Sequence, residues 1–421
     1  MILALLFLFL LLAAFGAPVF IVIGSSALLA FHSIGIDSSV IIAELYRLAS
    51  LPALIAVPLF TFSGYVLAKS KSPERLLGLM NALFGWLPGG VAIASLISCA
   101  LFTAFTGASG VTIIALGGLL YPVLMEQNYS EKFTLGLLTT TGSLGLLFPP
   151  SLPIILYGLI AKVSIDKLFL ATLLPGIFLI LVLSFYSLMQ GSKTKRTPVP
   201  FSFARLRYAL RQAAWEIPLP FLIIGGIYGG IFTATEASSA MAFYVVVTEV
   251  LIYKDLSLTE DLPKIMAESM TLVGAILVVM GSALGLTNYL IDQQIPMRCF
   301  EWVHRFIQDK TVFLILLNLF LLVMNMIEMF SAIIIVVPLI VPVAMQYGID
   351  PVHLGVIFLL NLEIGYMTAP FGLNLFLSSL RFEKPVTQIY RASFPFWLIL
   401  IGALVLVTYI PQISLFLLKP Q

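Results

Sequence analysis

The chain has 421 residues, of which 60% are apolar and only 10% are charged. Soluble proteins contain about 45–50% apolar and about 25% charged residues, so the composition excludes a water-soluble enzyme and indicates a membrane protein. At about 20 apolar residues per spanning helix, the chain has room for at most about twelve spans. The net charge of +2 excludes a large nucleic-acid surface, and the two cysteines exclude a disulfide framework.

The first predicted element is an apolar run over residues 2–31, with no charge before Asp37. A cleaved signal peptide has a basic start and an apolar core of about 7–15 residues, so we expect this run to be a retained span. Predicted spans continue to residue 68 and are followed by a basic group of Lys69, Lys71 and Arg75. Because Lys and Arg collect in cytoplasmic loops, this group predicts a cytoplasmic N-terminus.

The next segments are apolar and interrupted by glycine. They predict a surface helix over 76–87 and a re-entrant helical hairpin over 89–126, with its tip at the glycine-containing residues 106–110. A helix broken in mid-membrane over 133–160 and a span over 168–190 complete the first half, residues 1–190. Glycine-rich backbone at membrane depth is tolerated only where protein buries it or where it lines a wet cavity. The tip is therefore a candidate functional region.

Residues 191–215 form an acid-free basic linker, which we expect to be cytoplasmic. The second half, 216–421, repeats the order of the first, with predicted spans over 216–288, a surface helix over 292–310, a hairpin over 312–346, a broken helix over 352–380 and a span over 392–417. A single constant offset, without a gap, places Ile113 on Ile333, Pro122 on Pro342, Gly145 on Gly365 and Pro150 on Pro370.

Counting the predicted membrane crossings shows that the first hairpin should enter from the cytoplasmic side and the second from the outside. The predicted repeat is therefore inverted. The predicted fold class is an all-α polytopic membrane protein of about ten transmembrane helices plus two re-entrant hairpins in an inverted repeat. Inverted repeats that carry broken helices are typical of secondary transporters, which hold ions and substrate where the breaks meet.

The two breaks, at residues 142–151 and 362–371, predict the chemistry of such a site. Backbone carbonyls freed by a break can ligate a hard cation such as sodium, with hydroxyls and carboxylates completing an oxygen shell. Half-helix N-termini present N–H groups to an anion. A coupling cation and an organic anion can therefore share one place without a buried Lys or Arg.

Three polar side chains near these segments have alternative interpretations. Glu328, at the predicted tip of the second hairpin, either binds sodium or organises the tip, since a carboxylate at membrane depth is a functional candidate by default. Glu363, beside the second break, either contacts an ion or holds unwound backbone in shape. Ser109 is either an ion ligand or a hydroxyl that bonds back to its own helix.

Four segments resemble the large membrane subunit of tripartite ATP-independent periplasmic (TRAP) transporters. They are residues 106–112, 226–237, 348–355 and 360–376, with the sequences TGASGVT, GIYGGIFTATEA, GIDPVHLG and LNLEIGYMTAPFGLNLF. The resemblance extends over nearly the whole chain. The family usually has Pro-Pro where this chain has Ala369 and Pro370, Asp where Glu328 stands, and Gly where Met324 stands.

The resemblance also implies particular site residues. Sodium ligands are implied at Gly107, Ala108, Ser109, Gly142 and Gly145 in the first half, and at Glu328, Met329, Gly365, Met367 and Thr368 in the second. Candidate substrate contacts beside them are Thr112, Pro150, Ser151, Asn361, Pro370 and Asn374.

What the resemblance implies for function is a sodium-coupled importer of organic acid anions in a bacterial cytoplasmic (inner) membrane, with no cofactor besides Na⁺. The substrate class covers C4-dicarboxylates, sialic acid and other sugar acids. A periplasmic binding protein delivers the substrate, and a small four-helix membrane subunit, expected on a separate polypeptide, pairs with this chain in the lipid bilayer. The hairpins and broken helices would move as an elevator against the remaining spans.

Three other functions fit the sequence less well. An intramembrane enzyme is disfavoured because no Ser/His pair, paired aspartates or metal-ligand cluster falls in the predicted spans. A channel is disfavoured because channels usually place re-entrant loops of identical subunits around an axis. The main alternative is a cation-coupled anion transporter or citrate-type exchanger that works without a binding protein.

Overall fold

The computed structural model describes residues 17–37, 39–191, 200–324 and 329–418. Within these ranges all regular secondary structure is helical. Seven helices are long and apolar enough to cross a membrane, or nine if each of two bent helix pairs counts as one span. The all-α polytopic fold class is confirmed, with slightly fewer spans in the described ranges than the predicted ten. The part of the predicted first span that precedes Ala17, and Glu328, lie outside the described residues.

The first half contains nine helices within its described residues. They are α1 (Val19–Ser33), α2 (Ser39–Ala49), α3 (Ala56–Lys69), α4 (Ser72–Phe84), α5 (Gly90–Thr106), α6 (Ser109–Glu126), α7 (Glu131–Leu144), α8 (Leu152–Ala161) and α9 (Ile165–Gly191). A 3-10 turn, Pro52–Ile55, leads into α3, and another, Gly145–Leu147, follows α7. Helix α4 occupies the place predicted for a surface helix, and α5 and α6 form a hairpin.

The second half begins after the basic linker, which contains the helix α10 (Phe203–Gln212). The helices that follow are α11 (Pro218–Tyr228), α12 (Ala234–Ile252), α13 (Asp261–Asp292), α14 (Ile295–Phe306), α15 (Lys310–Met324), α16 (Met329–Gln346), α17 (Pro351–Gly365), α18 (Leu373–Phe382), α19 (Val386–Tyr409) and α20 (Gln412–Leu415). Helices α15, α16 and α17 start at the positions that the offset of the sequence repeat assigns to the starts of α5, α6 and α7.

The contacts between the two halves come in matched pairs: when a helix of one half packs on a helix of the other, their counterparts in the repeat also pack on each other. Helix α6 packs against α18, and its counterpart α16 packs against α8. In the same way α1 packs against α13, and α3 against α12. This crossed pattern is what two related halves produce when they interlock around a common axis, and it brings both broken helices into the middle of the molecule.

Local sequence signals set the ends of the central helices. Ser130 caps α7 by accepting a hydrogen bond from the Phe133 N–H, and Asp350 caps α17 by accepting from Val352 and His353. Gly107 ends α5 with a φ of +65°, a left-handed conformation that glycine adopts without steric cost. The caps start the broken helices at equivalent places, and the glycine makes the first hairpin turn tight.

Candidate functional site

The tip of the first hairpin lies directly on the first broken helix. Only Gly107 and Ala108 separate α5 from α6. A Cβ on Gly107 would lie 2.7 Å from Cγ of Leu152, the first residue of α8. The Thr103 hydroxyl donates to the Gly142 carbonyl at 2.9 Å and lies 2.6 Å from the Thr112 hydroxyl, which therefore donates to it. The tip and the end of α7 thus form one polar cluster.

Two glycines of α7 and its 3-10 turn make this approach possible. A Cβ on Gly145 would lie 2.2 Å from the Ala100 carbonyl oxygen, and one on Gly142 would lie 2.5 Å from the Ile113 side chain. Neither position can accept a side chain without moving its neighbour, because packing at this density leaves no spare volume. The structure therefore brings together the five residues predicted for a first sodium site: Gly107, Ala108, Ser109, Gly142 and Gly145.

The first break itself is short and buried. Helix α7 ends at Leu144, the 3-10 turn ends at Leu147, and α8 starts at Leu152 after a bend of 44°. The hydroxyl oxygens of Ser151, in the break, and of Thr106, at the hairpin tip, are buried and have no hydrogen-bond partner among the described residues. Unpaired hydroxyl and carbonyl oxygens are the ligands that a hard cation such as sodium takes. The donor set therefore fits the coupling ion that the sequence predicts.

The second break has a different environment. Helix α17 ends at Gly365, and the chain turns before α18 starts at Leu373. The Thr368 hydroxyl donates to the Ile364 carbonyl at 2.8 Å and accepts a hydrogen bond from the Trp397 indole at 3.0 Å. Of the predicted second sodium site, Gly365, Met367 and Thr368 lie in or beside this turn, and Met329 begins α16.

Hydrogen bonds join the two broken helices. The Asn374 amide of α18 donates to the Thr139 carbonyl at 3.2 Å and to the Ser143 hydroxyl at 3.3 Å. The Thr139 hydroxyl, which donates to the Leu135 carbonyl at 2.7 Å, lies within hydrogen-bond distance of the Ser378 hydroxyl at 2.9 Å. Since Asn374 and Ser143 belong to opposite halves, these bonds fix the second half-helix of one break to the first half-helix of the other.

The predicted substrate contacts separate into two groups. Thr112, Pro150, Ser151 and Asn374 lie at the first tip, the first break or the contact between the breaks. Asn361 is buried, and its amide donates to Asn318 Oδ1 at 2.6 Å and to the Ile357 carbonyl at 2.8 Å, so its N–H groups are already paired within the protein. Pro370 lies on the exposed outer side of the second break.

Glu363 is fully buried, and neither of its carboxylate oxygens has a hydrogen-bond partner among the described residues. A role in holding unwound backbone would need hydrogen bonds to that backbone, and none is present in the described part of the chain. The position that corresponds to it in the first half is Ser143, which receives the Asn374 amide. Direct contact with an ion stays a prediction for Glu363.

Three polar residues of the site, Thr103, Thr139 and Ser378, were not predicted from the sequence, and Thr106 was predicted only as part of the tip. Thr103, Thr106, Thr139 and Ser378 supply hydroxyls to the tip or to the contact between the breaks. Their shared signal is a hydroxyl within one or two helical turns of a predicted tip or break. A hydroxyl at this distance from a tip or break, on an otherwise apolar helix, is therefore a signal from which such site residues can be predicted.

A cavity of about 900 Å³ lies away from the breaks. It is formed by the end of α2, the loop between α8 and α9, and the loop between α11 and α12. Its charged lining residues are Arg47, Lys162, Asp166 and Glu236. The cavity therefore lies between the end of the first broken helix and the helices α2 and α12.

A helical hairpin and two broken helices in a polytopic helical fold are typical of a secondary transporter. The fold is similar to that of the YdaH transporter of Alcanivorax borkumensis, with a TM-score of 0.62 at 15% identity over 88% of this chain and 86% of that one. That structure was reported to have an unusual topology. The low identity makes this a similarity of fold alone.

The sequence comparisons are more specific. The family described as the DctM component of tripartite ATP-independent periplasmic transporters matches residues 3–413. The C4-dicarboxylate TRAP transporter large permease protein DctM of Pseudomonas aeruginosa is 35% identical over 374 residues, which are 88% of this chain and 87% of that protein. The chain therefore belongs to the DctM family and is a large permease of a TRAP transporter.

Other relatives are named for different substrates. The ectoine/5-hydroxyectoine permease UehC of Ruegeria pomeroyi is 32% identical over 87% of this chain and 86% of that protein. The isethionate permease DctMQ of Oleidesulfovibrio alaskensis is 31% identical over 95% of this chain but only 64% of its own length. The family works with a small membrane subunit and a periplasmic binding protein, and it is a family of permeases rather than of enzymes.

Proposed function

We propose that this permease imports small organic acid anions together with sodium ions. The observation that carries the proposal is the first tip, where glycines bring backbone carbonyls and the unpaired hydroxyls of Thr106 and Ser151 together in a buried place. Oxygen ligands without a fixed positive charge suit sodium, and the start of α8 in the same place supplies N–H groups for a carboxylate.

The proposed substrate class is that of small carboxylates, with C4-dicarboxylates first because two of the most similar relatives transport them by name. Sialic acid and other sugar acids, as predicted from the sequence, are the second choice. The substrate would come from a periplasmic binding protein, and a small four-helix subunit would support this chain. The hairpins and the broken helices, α5–α8 and α15–α18, would move as an elevator against the remaining spans.

The test is uptake into proteoliposomes that contain this permease and its small subunit. With the binding protein and labelled succinate outside, we expect uptake that needs an inward sodium gradient and no ATP. Uptake at an unchanged rate in sodium-free medium with a proton gradient would contradict the coupling. Equal uptake without any binding protein would favour the alternative, a cation-coupled exchanger.

The topology is part of the proposal, with the N-terminus in the cytoplasm and the basic linker on the same side. The support is the distribution of Lys and Arg, which favours a position at the inner surface for α4 and α10. Single cysteines introduced near Pro200 should react with a membrane-impermeant maleimide only after the inner membrane is opened. Reaction in intact spheroplasts would overturn the orientation.

A further inference from the structure

A small polar cavity of about 170 Å³ lies between the first hairpin and α10. Its walls are the end of α4 with the turn that follows, the start of α5, the last turns of α6 and the segment that leads into α10. At about 30 Å³ for each water molecule, the cavity has room for about five waters. A glycerol or phosphate group is of this size, whereas a lipid chain is not.

Three polar side chains of the cavity wall have no partner among the described residues. Asn81, Gln127 and Arg205 make no side-chain hydrogen bond or ion pair there, and Asn81 Oδ1 is buried. Buried polar atoms are nearly always paired, with protein or with another molecule. Two amides offer both donors and acceptors, and a guanidinium offers donors to an anion. The cavity therefore has the groups that would bind hydroxyls and an anionic oxygen together.

The second half fills the matching space with an aromatic ring. The offset of the repeat places Gln127 on Tyr347, and the next residue has a positive φ in both halves, +60° and +67°. The Tyr347 ring stacks on that of Phe313 at 4.1 Å between centroids and lies 5.4 Å from that of Phe300. Its hydroxyl donates to the Ile307 carbonyl at 2.6 Å. The ring thus lies between α14 and α15, as the cavity lies between α4 and α5.

The rim of the cavity is basic and aromatic. Arg205 is exposed, and so are Arg207 and Arg211 further along α10, which form no ion pair within the part of the chain that the structure describes. The Trp86 and Phe201 rings lie edge to face at 6.3 Å and are 46% and 52% exposed. Basic residues on a helix at the inner surface attract anionic lipids, and exposed Trp rings favour the level of the lipid headgroups.

We propose that this cavity binds the headgroup of an anionic phospholipid whose headgroup is itself a glycerol, as in phosphatidylglycerol. The glycerol hydroxyls pair with the amides of Asn81 and Gln127, and the phosphate lies on Arg205 at the rim. The acyl chains run past Trp86 and Phe201 into the membrane. This site is separate from the proposed sodium and substrate sites, and only its assignment to the inner leaflet uses the proposed topology.

The test is lipid binding by the permease with its small subunit, measured by native mass spectrometry and by thermal unfolding in nanodiscs. The nanodiscs contain phosphatidylcholine alone or mixed with phosphatidylglycerol or with phosphatidic acid. We expect phosphatidylglycerol to remain bound and to raise the unfolding temperature, and phosphatidic acid to do so less. Equal stabilisation by soluble glycerol phosphate in phosphatidylcholine nanodiscs would assign the cavity to a free solute and overturn the proposal.

The decisive variant is Gln127→Tyr, because it gives the first half the ring that fills the matching space in the second and changes no charge. We expect it to assemble and to bind phosphatidylglycerol at least about tenfold more weakly than the parent. Unchanged affinity in an assembled Gln127→Tyr permease would overturn the proposal, since the lipid would then be held by the surface charge alone.

Two further variants keep the test decisive if Gln127→Tyr does not assemble. Arg205→Gln should weaken the binding of both anionic lipids by about tenfold, whereas Asn81→Leu should remove only the preference for phosphatidylglycerol over phosphatidic acid. The matched control is Arg391→Gln, which removes an exposed basic residue that does not line the cavity. An equal loss in Arg391→Gln and Arg205→Gln, or an unchanged lipid preference in Asn81→Leu, would contradict the proposed site.

Discussion

The two broken helices occupy matching places in the two halves, but the protein buries the two breaks to different extents. Around the first break, residues 145–151 are buried apart from a half-buried Phe148. Around the second, Ala369, Pro370 and Phe371 are exposed, and the Phe371 side chain is 68% accessible. The first arms of the hairpins differ in the same way, since α5 is buried almost throughout, whereas α15 leaves Leu319 and Val323 61% and 62% exposed.

The cause is visible in residue size at matched positions. Helix α5 has alanines where α15 has large side chains; the pairs are Ala92 with Val312, Ala94 with Leu314, Ala100 with Phe320 and Ala104 with Met324. Small residues let α5 approach α3, α4, α7 and α9 closely, and larger ones keep α15 at a distance from such neighbours. The region of the first break is thus enclosed by the protein, whereas the region of the second break is exposed on one side.

The hydroxyls are divided in the same way. Thr103 and Thr112 of the first half correspond to Val323 and Ala332, whereas the acids Glu328 and Glu363 belong to the second half. The predicted first ion site therefore offers hydroxyl and carbonyl oxygens. The predicted second ion site offers carboxylates and the Thr368 hydroxyl. Four substitutions test the packing and the polar contacts on which this comparison depends.

The largest effect is expected for Gly145→Ala. The added Cβ would lie 2.2 Å from the Ala100 carbonyl oxygen and 2.5 Å from the Ala104 nitrogen, and backbone cannot move aside as a flexible side chain can. We expect a loss of more than about 3 kcal/mol of stability and no uptake, measured by thermal unfolding and proteoliposome assay. Gly402→Ala is the matched control, because a Cβ there meets nothing within 4 Å. Normal stability of Gly145→Ala would show that α5 and α7 are less closely packed than described.

The next effect concerns Glu328→Gln, in the part of the second hairpin that lies outside the described residues. If Glu328 helps to bind sodium, the amide removes a charge-assisted contact of about 1.5–3 kcal/mol at nearly constant shape. Sodium affinity should fall by roughly ten- to a hundred-fold at about 1.4 kcal/mol per decade, measured from the sodium dependence of uptake. Glu328→Asp should be mild, and Glu301→Gln, on the exposed surface of α14, should have no effect. An unchanged sodium dependence would make Glu328 structural.

The repeat made much of this fold predictable from the sequence. The constant offset between the halves, the glycines of the first tip and the prolines of the two breaks are local patterns, and they place the hairpins and breaks close to their observed positions. The helices α2 and α10 were not predicted, because charged side chains interrupt their apolar pattern.

Pairing between distant residues could not be predicted. Arg75 is interpreted from the sequence only as a marker of the cytoplasmic side, whereas the structure pairs it with acids 141, 174 and 180 residues away. Asn374 likewise bonds Thr139 across 235 residues. His353 shows the same limit, since it is buried between Ser414 and the Thr408 carbonyl, 61 and 55 residues away along the chain. Such pairs depend on which helices meet, and single-sequence patterns do not contain that information.

A smaller effect is expected for Asn374→Leu, which gives the second break the apolar side chain that Ile154 provides at the matched position of the first. The change removes donors from the Thr139 carbonyl and the Ser143 hydroxyl, and leaving these buried acceptors unpaired should cost about 1–3 kcal/mol in thermal unfolding. If Asn374 also contacts the substrate, the half-saturation for succinate should rise as well. Ser378→Ala removes only the bond to the Thr139 hydroxyl and is the control. Equal stability of Asn374→Leu and the parent would exclude a connection between the breaks through this amide.

The smallest effect is expected for Thr103→Val, which gives the first tip the residue that the second half has at Val323. Valine fills nearly the same volume, so packing is kept and only the bonds to Thr112 and to the Gly142 carbonyl are lost. Because the hydroxyl holds that carbonyl in place, we expect a loss of about 0.5–1.5 kcal/mol in thermal unfolding and a weaker sodium dependence of uptake. Thr103→Ser keeps both bonds and should behave as the parent, whereas Val323→Thr, in an exposed position, should change neither quantity. If Thr103→Val destabilised the protein but left the sodium dependence intact, the hydroxyl network would be a structural feature of the enclosed half, and the ion would rely on other oxygens there, such as those of Thr106 and Ser151.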